Sequence, residues 1–85
     1  MPLYIVSYDL LNKATFGEYE NLIAEIKRLG GVKALYSQWA MRRDEPAMTL
    51  LKHLRQYIHN TDRLLVTEIT ANWASVNLLC DLTKL

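Results

Sequence analysis

The sequence has 85 residues, of which 51% are hydrophobic, and ten Lys or Arg side chains against nine Asp or Glu give a net charge of +1. These values exclude a disordered chain and predict one compact domain. A net charge this small gives no global attraction for nucleic acid, so any such contact requires a local patch. A domain this short buries only about 60% of the surface that its unfolded chain exposes, and we therefore expect a homodimer.

The single cysteine, Cys80, limits the chemistry that one chain can support. It excludes an internal disulfide and a cysteine-based zinc site within one chain. Its neighbours in NLLCDL are mostly apolar and predict a buried thiol. The sequence shows neither a signal-peptide pattern nor an apolar run of transmembrane length. We therefore expect a cytoplasmic protein without a membrane partner.

The first half of the chain predicts a strand, a helix and a second β region. Residues 3–9 carry apolar side chains on both alternating faces, which is typical of a central strand. Thr15 and Glu18 fit a capping box at the start of a helix, and Gly30 with Gly31 ends it. Its apolar stripe is Phe16, Tyr19, Leu22, Ile23, Ile26 and Leu29. Residues 32–43 are long for one strand, and the sequence leaves open two short strands or one bent strand.

The second half predicts another helix and another strand. Asp44 and Glu45 give the helix an acidic start, and Pro46 lies in its first turn. Its buried stripe is Ala47, Leu50, Leu51, Leu54 and Ile58, and the NTD turn at 60–62 ends it. Residues 63–70 form a clear β segment. Residues 72–85 are ambiguous between a short helix and an added strand, and we expect them to pack on the dimer partner.

This element order predicts a ferredoxin-like, split βαβ sandwich of the α+β class. It has an antiparallel sheet with both helices on one face, forms a single domain over 1–85, and has its core in about residues 3–70. The other face of the sheet would also be apolar, because both alternating sets of strand positions carry apolar or aromatic side chains. An uncovered face of that kind normally marks an interface, which again predicts a dimer.

Three short motifs carry a resemblance to a known family. They are YIVSYDL before the first helix, SQWAM in the middle β region, and DRLLVTEIT at the last strand. In this order they resemble the small CRISPR-associated, endoribonuclease-like family that partners the spacer integrase. The resemblance is nearest to its SinR-like branch and extends more distantly to the VapD toxin ribonucleases. Many members follow the first strand with a run of Arg and Lys, whereas this chain has one Lys and then two Glu.

The resemblance implies a catalytic and metal-binding role for Asp9. The aspartates of two subunits would meet near the dimer axis and hold one Mg²⁺ or Mn²⁺ for phosphodiester hydrolysis. Such ions are commonly held by one or two carboxylates with waters and phosphates. From the residues alone, Asp9 can equally be a turn residue whose carboxylate accepts backbone N–H groups after the strand.

Other polar and aromatic residues have weaker functional patterns. Arg42 and Arg43, with Lys52 and Arg55, are candidates for nucleic-acid binding, but nearby carboxylates favour a solvated, ion-paired face. The two histidines, His53 and His59, lie six positions apart and do not share one face of a helix, so a common metal is not expected. The aromatic residues can stack on bases or pack in an interface: Tyr4, Tyr8, Tyr36, Trp39 and Trp73. The serines Ser7, Ser37 and Ser75 have no His and acid partners at a recognisable spacing.

Three functions follow from the sequence. The first is a dimeric RNA- or DNA-associated protein with metal-dependent phosphodiester hydrolysis. The second is a catalytically inactive dimer that binds a larger protein partner, in which Asp9 is structural. The third is a small-metabolite-binding dimeric α+β domain, which requires a cavity between the sheet and the helices. The fold alone does not choose among them.

Overall fold

The computed structural model describes residues 1–11 and 16–85, with only the backbone described at 16–18. The regular elements are β1 (Leu3–Asp9), α1 (Phe16–Arg28), β2 (Val32–Leu35), β3 (Gln38–Arg42), α2 (Ala47–Leu54) and β4 (Arg63–Ile69). Two short 3-10 turns follow α2 and β4, at Arg55–Tyr57 and Leu82–Lys84. The predicted capping box of Thr15 and Glu18 lies outside the described residues, as does the side chain of Phe16. Within the described ranges, no helix has the length and apolar character needed to cross a membrane.

The four strands form one antiparallel sheet in the order β2-β3-β1-β4. β1 is central, as its two apolar faces predicted, and Val6 pairs with Trp39 on one side and with Val66 on the other. The α+β class, the antiparallel sheet and the two helices are therefore confirmed. The strand order is compatible with the ferredoxin-like arrangement.

The long β region at 32–43 is two strands joined by a two-residue turn, Tyr36 and Ser37. Neither residue is glycine or asparagine, so the usual sequence signal for a tight hairpin is missing. The register between β2 and β3 shifts between Lys33 and Leu35, which fits the hairpin to this turn. The structure thus selects the first of the two alternatives that the sequence left open.

Both helices pack on one face of the sheet, here called the helix face. The buried side chains of this layer are Tyr4, Val6, Leu22, Ile26, Leu29, Trp39, Met41, Leu50 and Leu54. Six of the chain's most buried large side chains lie in it, so the space between sheet and helices is filled with protein. The predicted helix stripes are confirmed where they are described, because their buried members all belong to this layer.

The sequence predicted the C-terminal end of α1 but not that of α2. α1 ends at Arg28, and Gly30 two positions later has a φ of 92°, a left-handed conformation that glycine adopts without strain, as predicted. α2 ends at Leu54, several residues before the predicted NTD stop. A 3-10 turn follows it, and the N–H of Ile58 donates to the carbonyl of Arg55. A 3-10 turn of this kind satisfies backbone carbonyls at the end of an α-helix. The predicted end of α2 at residues 60–62 was wrong, because the α-helix already changes to this turn after Leu54.

The other face of the sheet, here called the tail face, is partly covered by residues 70–85 of the same chain. Leu82 is buried against Leu3, Ala34 and Ala40. The N–H of Leu79 donates to the carbonyl of Ala34 at 3.0 Å. Apart from the 3-10 turn, this segment forms neither of the two elements that the sequence suggested for it. The expectation of a bare second face is corrected by this packing, and only the half near the end of β1 stays open.

Candidate functional site

Asp9 lies at the end of β1 on the open half of the tail face. It alternates with Ser7 and Ile5 along the strand and pairs in register with Arg63 of β4. Its side chain is 63% exposed, and Arg63 Nη1 lies 3.5 Å from its Oδ2. The carboxylate borders a depression of about 310 Å³, whose other lining residues are Ser7, Tyr8, Ser37, Gln38, Arg63, Leu64 and Leu65. The strand therefore presents Asp9 to solvent in a shallow, open site.

At this end of the sheet Asp62 has the backbone-accepting role that the sequence considered for Asp9. One carboxylate oxygen of Asp62 accepts the N–H of Leu11 at 2.7 Å and the Tyr19 hydroxyl at 2.9 Å. The other accepts the N–H of His59 at 2.9 Å. Burial opposes ionisation of Asp62, but the hydrogen bonds from the His59 and Leu11 N–H groups and from Tyr19 outweigh it and lower its pKa. Asp62 thus ties the exit of β1 to α1 and to the loop before β4.

The sequence reasoning did not single out Asp62 as a structural residue. Its signal was present, because an Asp in the NTD turn directly before a strand is a common acceptor of backbone N–H groups. What the sequence does not contain is the partner, since Leu11 is 51 positions away. With Asp62 in this role, the carboxylate of Asp9 is left exposed beside Arg63.

The two predicted nucleic-acid residues, Arg42 and Arg43, lie at the opposite end of the sheet from Asp9. Arg42 pairs in register with Leu3, and Asp9 lies six positions further along β1, which is about 20 Å. Arg42 donates from Nε to the carbonyl of Leu85 and from Nη1 to that of Met1, each at 2.9 Å. Both groups hold backbone near the tail, so the structure does not bring Arg42 to the Asp9 site.

Arg43 is held by the helix layer. Its Nε donates to Glu45 Oε1 at 2.7 Å, and this hydrogen bond lowers the pKa of Glu45. Its Nη1 lies 3.5 Å from the carbonyl of Leu29. Because neighbouring strand residues point to opposite faces, Arg42 and Arg43 do not form one patch. The ion-paired alternative that the sequence left open describes Arg43 best.

The helices carry a second polar cluster, which the sequence reasoning did not find. Glu25 of α1 has a side chain that is only 9% exposed, and it accepts two 2.6 Å hydrogen bonds from Arg28. His53 of α2 lies 2.5 Å from the same carboxylate. The hydrogen bonds from Arg28 and His53 lower the pKa of Glu25 to about 2. This cluster links α1 to α2 across the outside of the helix layer.

The two histidines are placed apart, as their spacing predicted. His53 contacts Glu25 and stacks edge-on against Tyr57, with the ring centroids 5.9 Å apart. His59 stacks edge-on against Tyr19 at 6.0 Å. In the part of the chain that the structure describes, no three His, Cys, Asp or Glu side chains lie close enough to hold one metal ion. A metal bound by Asp9 would therefore need ligands from water, substrate or a second subunit.

A group of lysine and aromatic side chains lies at the same end of the sheet as Asp9. Lys33 Nζ lies 5.6 Å from the ring centroid of Tyr36 and 5.8 Å from that of Trp39. Lys27 Nζ of α1 lies 5.9 Å from the Trp39 centroid. Trp39 is buried, and its Nε1 donates to the hydroxyl of Tyr8 at 2.9 Å. Tyr36, in contrast, is 85% exposed.

Comparison with known proteins leaves the site to be interpreted from its own geometry. No protein-family model matches the chain, and no solved structure matches it. The fold and the site define a small α+β protein with a four-stranded antiparallel sheet. Its exposed carboxylate, Asp9, lies on the open half of one sheet face, and Ser37 of the β2–β3 turn borders the same depression.

Proposed function

We propose that this chain is a ferredoxin-like homodimer that acts on nucleic acid, with Asp9 of both subunits binding a divalent cation for phosphodiester hydrolysis. This is the function that the resemblance to the CRISPR-associated, SinR-like and VapD-like proteins implies. One observation carries the proposal. The Asp9 carboxylate is exposed at a strand end, and its contact within the described residues is a long ion pair with Arg63.

The state of this carboxylate suits a metal ligand better than a structural residue. A structural Asp at a strand end accepts backbone N–H groups, and Asp62, directly before β4, does so here. An ion pair between two side chains that are 63% and 71% exposed contributes little to stability. Breaking the ion pair between Asp9 and Arg63 therefore destabilises the fold little, and a cation can replace Arg63 as the partner of Asp9.

The residues present fit Mg²⁺ or Mn²⁺ as one half of a shared site. Each subunit offers the exposed carboxylate of Asp9, and hard divalent cations are commonly held by one or two carboxylates with waters and substrate phosphates. When bound, such an ion lowers the pKa of a coordinated water and neutralises charge on the phosphodiester. Asp9 would hold the ion, and Arg63 would be free to contact a phosphate oxygen.

The open half of the tail face supports the dimer. Leu65 lies next to Asp9 on this half and is 59% exposed, although it belongs to a strand. The tail covers the other half, so the surface left for a second copy is the one that carries Asp9. A twofold axis through this surface would bring the two Asp9 carboxylates toward each other.

The test measures cleavage of single-stranded RNA and duplex DNA in Mg²⁺, in Mn²⁺ and in EDTA. We expect metal-dependent cleavage by the wild type and its loss in Asp9→Asn, because the amide removes the charge that binds the cation. Asp44→Asn, at an exposed carboxylate on another loop, is the matched control and should cleave normally. Mn²⁺ binding followed by electron paramagnetic resonance should show one ion per dimer in the wild type and in the control.

Two results would contradict the proposal. One is cleavage that survives Asp9→Asn or ignores EDTA, which would identify a contaminant or another site. The other is the absence of both cleavage and Mn²⁺ binding in the folded wild type. In the second case a catalytically inactive, protein-binding dimer explains the same fold better.

A further inference from the structure

The tip of the β2–β3 hairpin presents an aromatic ring that folding does not explain. Tyr36 and Ser37 form the two-residue turn, and Tyr36 is 85% exposed. Tyrosine is not among the residues that favour tight turns, and a ring this exposed gains little from burial. Its hydroxyl forms no hydrogen bond with the residues that the structure describes. A large, planar and solvated side chain at this position therefore points to a ligand.

One lysine lies next to this ring, and a second shares a tryptophan with it. Lys33 lies 5.6 Å from the Tyr36 ring centroid, and Lys27 joins it above Trp39. Among the side chains described, those of residues 1–11 and 19–85, neither lysine forms an ion pair at 4 Å or less, whereas Arg28, Arg43 and Arg63 all do. Both ammonium groups are thus available to an anion from outside the protein.

The tip lies beside the Asp9 depression. Ser37, the second residue of the tip, borders that depression together with Asp9, and its carbonyl accepts the N–H of Tyr8 at 3.2 Å. Arg63 of β4 pairs with Asp9 and lines the same depression. Lys33 pairs with Trp39 and therefore lies on the helix face, whereas Asp9 lies on the tail face. The hairpin tip thus borders the Asp9 depression through Ser37, and its lysines lie on the other side of the sheet.

From this arrangement we propose that the hairpin tip is a binding site for single-stranded nucleic acid, in which a base stacks on Tyr36 and phosphates contact Lys33 and Lys27. The proposal rests on the proposed function insofar as this strand is the substrate of the Asp9 site. An aromatic platform beside lysines is how proteins hold unpaired strands without reading sequence. A duplex does not offer an unstacked base to a single exposed ring, so single strands are the preferred ligand.

The first experiment measures binding without catalysis. Fluorescence anisotropy follows labelled oligouridylate, oligothymidylate and a duplex in EDTA, with wild type, Tyr36→Ala and Tyr36→Phe. We expect Tyr36→Ala to weaken single-strand binding about tenfold, which is the usual loss for one stacked base. Tyr36→Phe keeps the ring and should bind like the wild type. Comparing the two single strands distinguishes RNA from DNA as the preferred ligand.

The second experiment separates phosphate contacts from stacking. For single strands, the slope of log K against log salt falls in magnitude by about 0.7 for each phosphate contact that is removed. Lys33→Gln and Lys27→Gln should each show this change. Lys84→Gln, at an exposed lysine of the Leu82–Lys84 turn away from the tip, is the matched control and should keep the wild-type slope. Tyr36→Ala should lower K and leave the slope unchanged.

Any of three results would overturn the inference. The wild type could bind no single strand at low salt, Tyr36→Ala could bind as tightly as the wild type, or the lysine variants could keep the wild-type salt slope. Tighter binding of duplex that ignores Tyr36 would also overturn it. The two proposals fail separately. If binding depends on Tyr36 but no metal-dependent cleavage is seen, only the proposed Asp9 activity is contradicted. If cleavage is seen but its KM is the same in Tyr36→Ala as in the wild type, only the hairpin site is contradicted.

Discussion

The two faces of the sheet are built from the same strands but are covered in different ways. The helix face is closed by two helices whose apolar stripes fill the layer between them and the sheet. The tail face is closed over one half by an irregular segment with a single buried leucine, Leu82. Its other half, with Asp9, is open. Packing on the helix face therefore supplies most of the stability of this domain, and the tail face carries the candidate site.

The largest expected effect tests the helix face. Leu54 is fully buried there, and Leu54→Ala should lower the free energy of unfolding by about 3 kcal/mol, since it removes apolar contacts and leaves a cavity. Urea denaturation followed by circular dichroism measures the change. Met48→Ala, at an exposed position of the same helix, is the control. A loss below about 1 kcal/mol for Leu54→Ala would show that the helix layer is loosely packed.

A smaller effect is expected on the tail face. Leu82→Ala should cost about 1–2 kcal/mol, because the tail can detach locally instead of leaving a cavity in a rigid layer. Burial, with a smaller effect of Asp81, raises the pKa of the Cys80 thiol, which slows its modification. Thiol labelling at neutral pH should therefore become faster in Leu82→Ala. An unchanged labelling rate together with a large loss of stability would show that the tail is packed as rigidly as the helix layer and does not detach locally.

The polar cluster outside the helix layer should govern acid stability. The pKa of Glu25 is about 2 in the folded protein, against an ordinary value of 4.5. A lowered pKa contributes stability above 4.5, and that contribution is lost as the pH falls toward about 2. Glu25→Gln should flatten the dependence of unfolding free energy on pH in this window. Glu68→Gln, at an exposed strand position, should keep it, and parallel curves for wild type and Glu25→Gln would contradict the assignment.

The smallest effect on stability is expected at the candidate site itself. Asp9→Asn removes a weak, exposed ion pair, and the free energy of unfolding should change by less than about 0.5 kcal/mol. The same urea denaturation measures it, with Asp44→Asn as the control. A larger loss would mean that Asp9 supports the fold, which would weaken its assignment as a ligand. Unchanged stability together with lost cleavage would show that Asp9 serves the candidate site and does not support the fold.

Local periodicity was enough to predict the helix face. The strand at 3–9 and the stripes of both helices follow from spacing alone, because each element must bury one side of itself. The β2–β3 turn did not follow, since Tyr36 and Ser37 lack the usual turn signal and the register shift supplies the fit instead. The early end of α2 also depends on a local 3-10 turn that has no clear sequence signal.

The tail and the site depend on contacts between residues far apart in the chain. Arg42 holds backbone 43 and 41 positions away, and Asp62 holds Leu11 across 51 positions. Such partners leave no periodic pattern, so the sequence offered Arg42 and Arg43 as nucleic-acid candidates without showing these contacts, and it gave Asp62 no structural role. The sequence singled out Asp9 because it ends a predicted central strand and because the resemblance implies a metal at that position. The sequence could not show that its carboxylate stays exposed, since that depends on which residue holds the next loop.

The position of Trp39 gives the protein an internal optical reporter. Its indole is buried, lies beneath Lys27 and Lys33, and is one of two tryptophans in the chain. A ligand that draws either ammonium group away would change the electric field at this ring and shift its fluorescence. Replacing the more exposed Trp73 with phenylalanine would leave a single emitter beside the hairpin tip. Ligand screening and stopped-flow kinetics at this end of the sheet then need no added label.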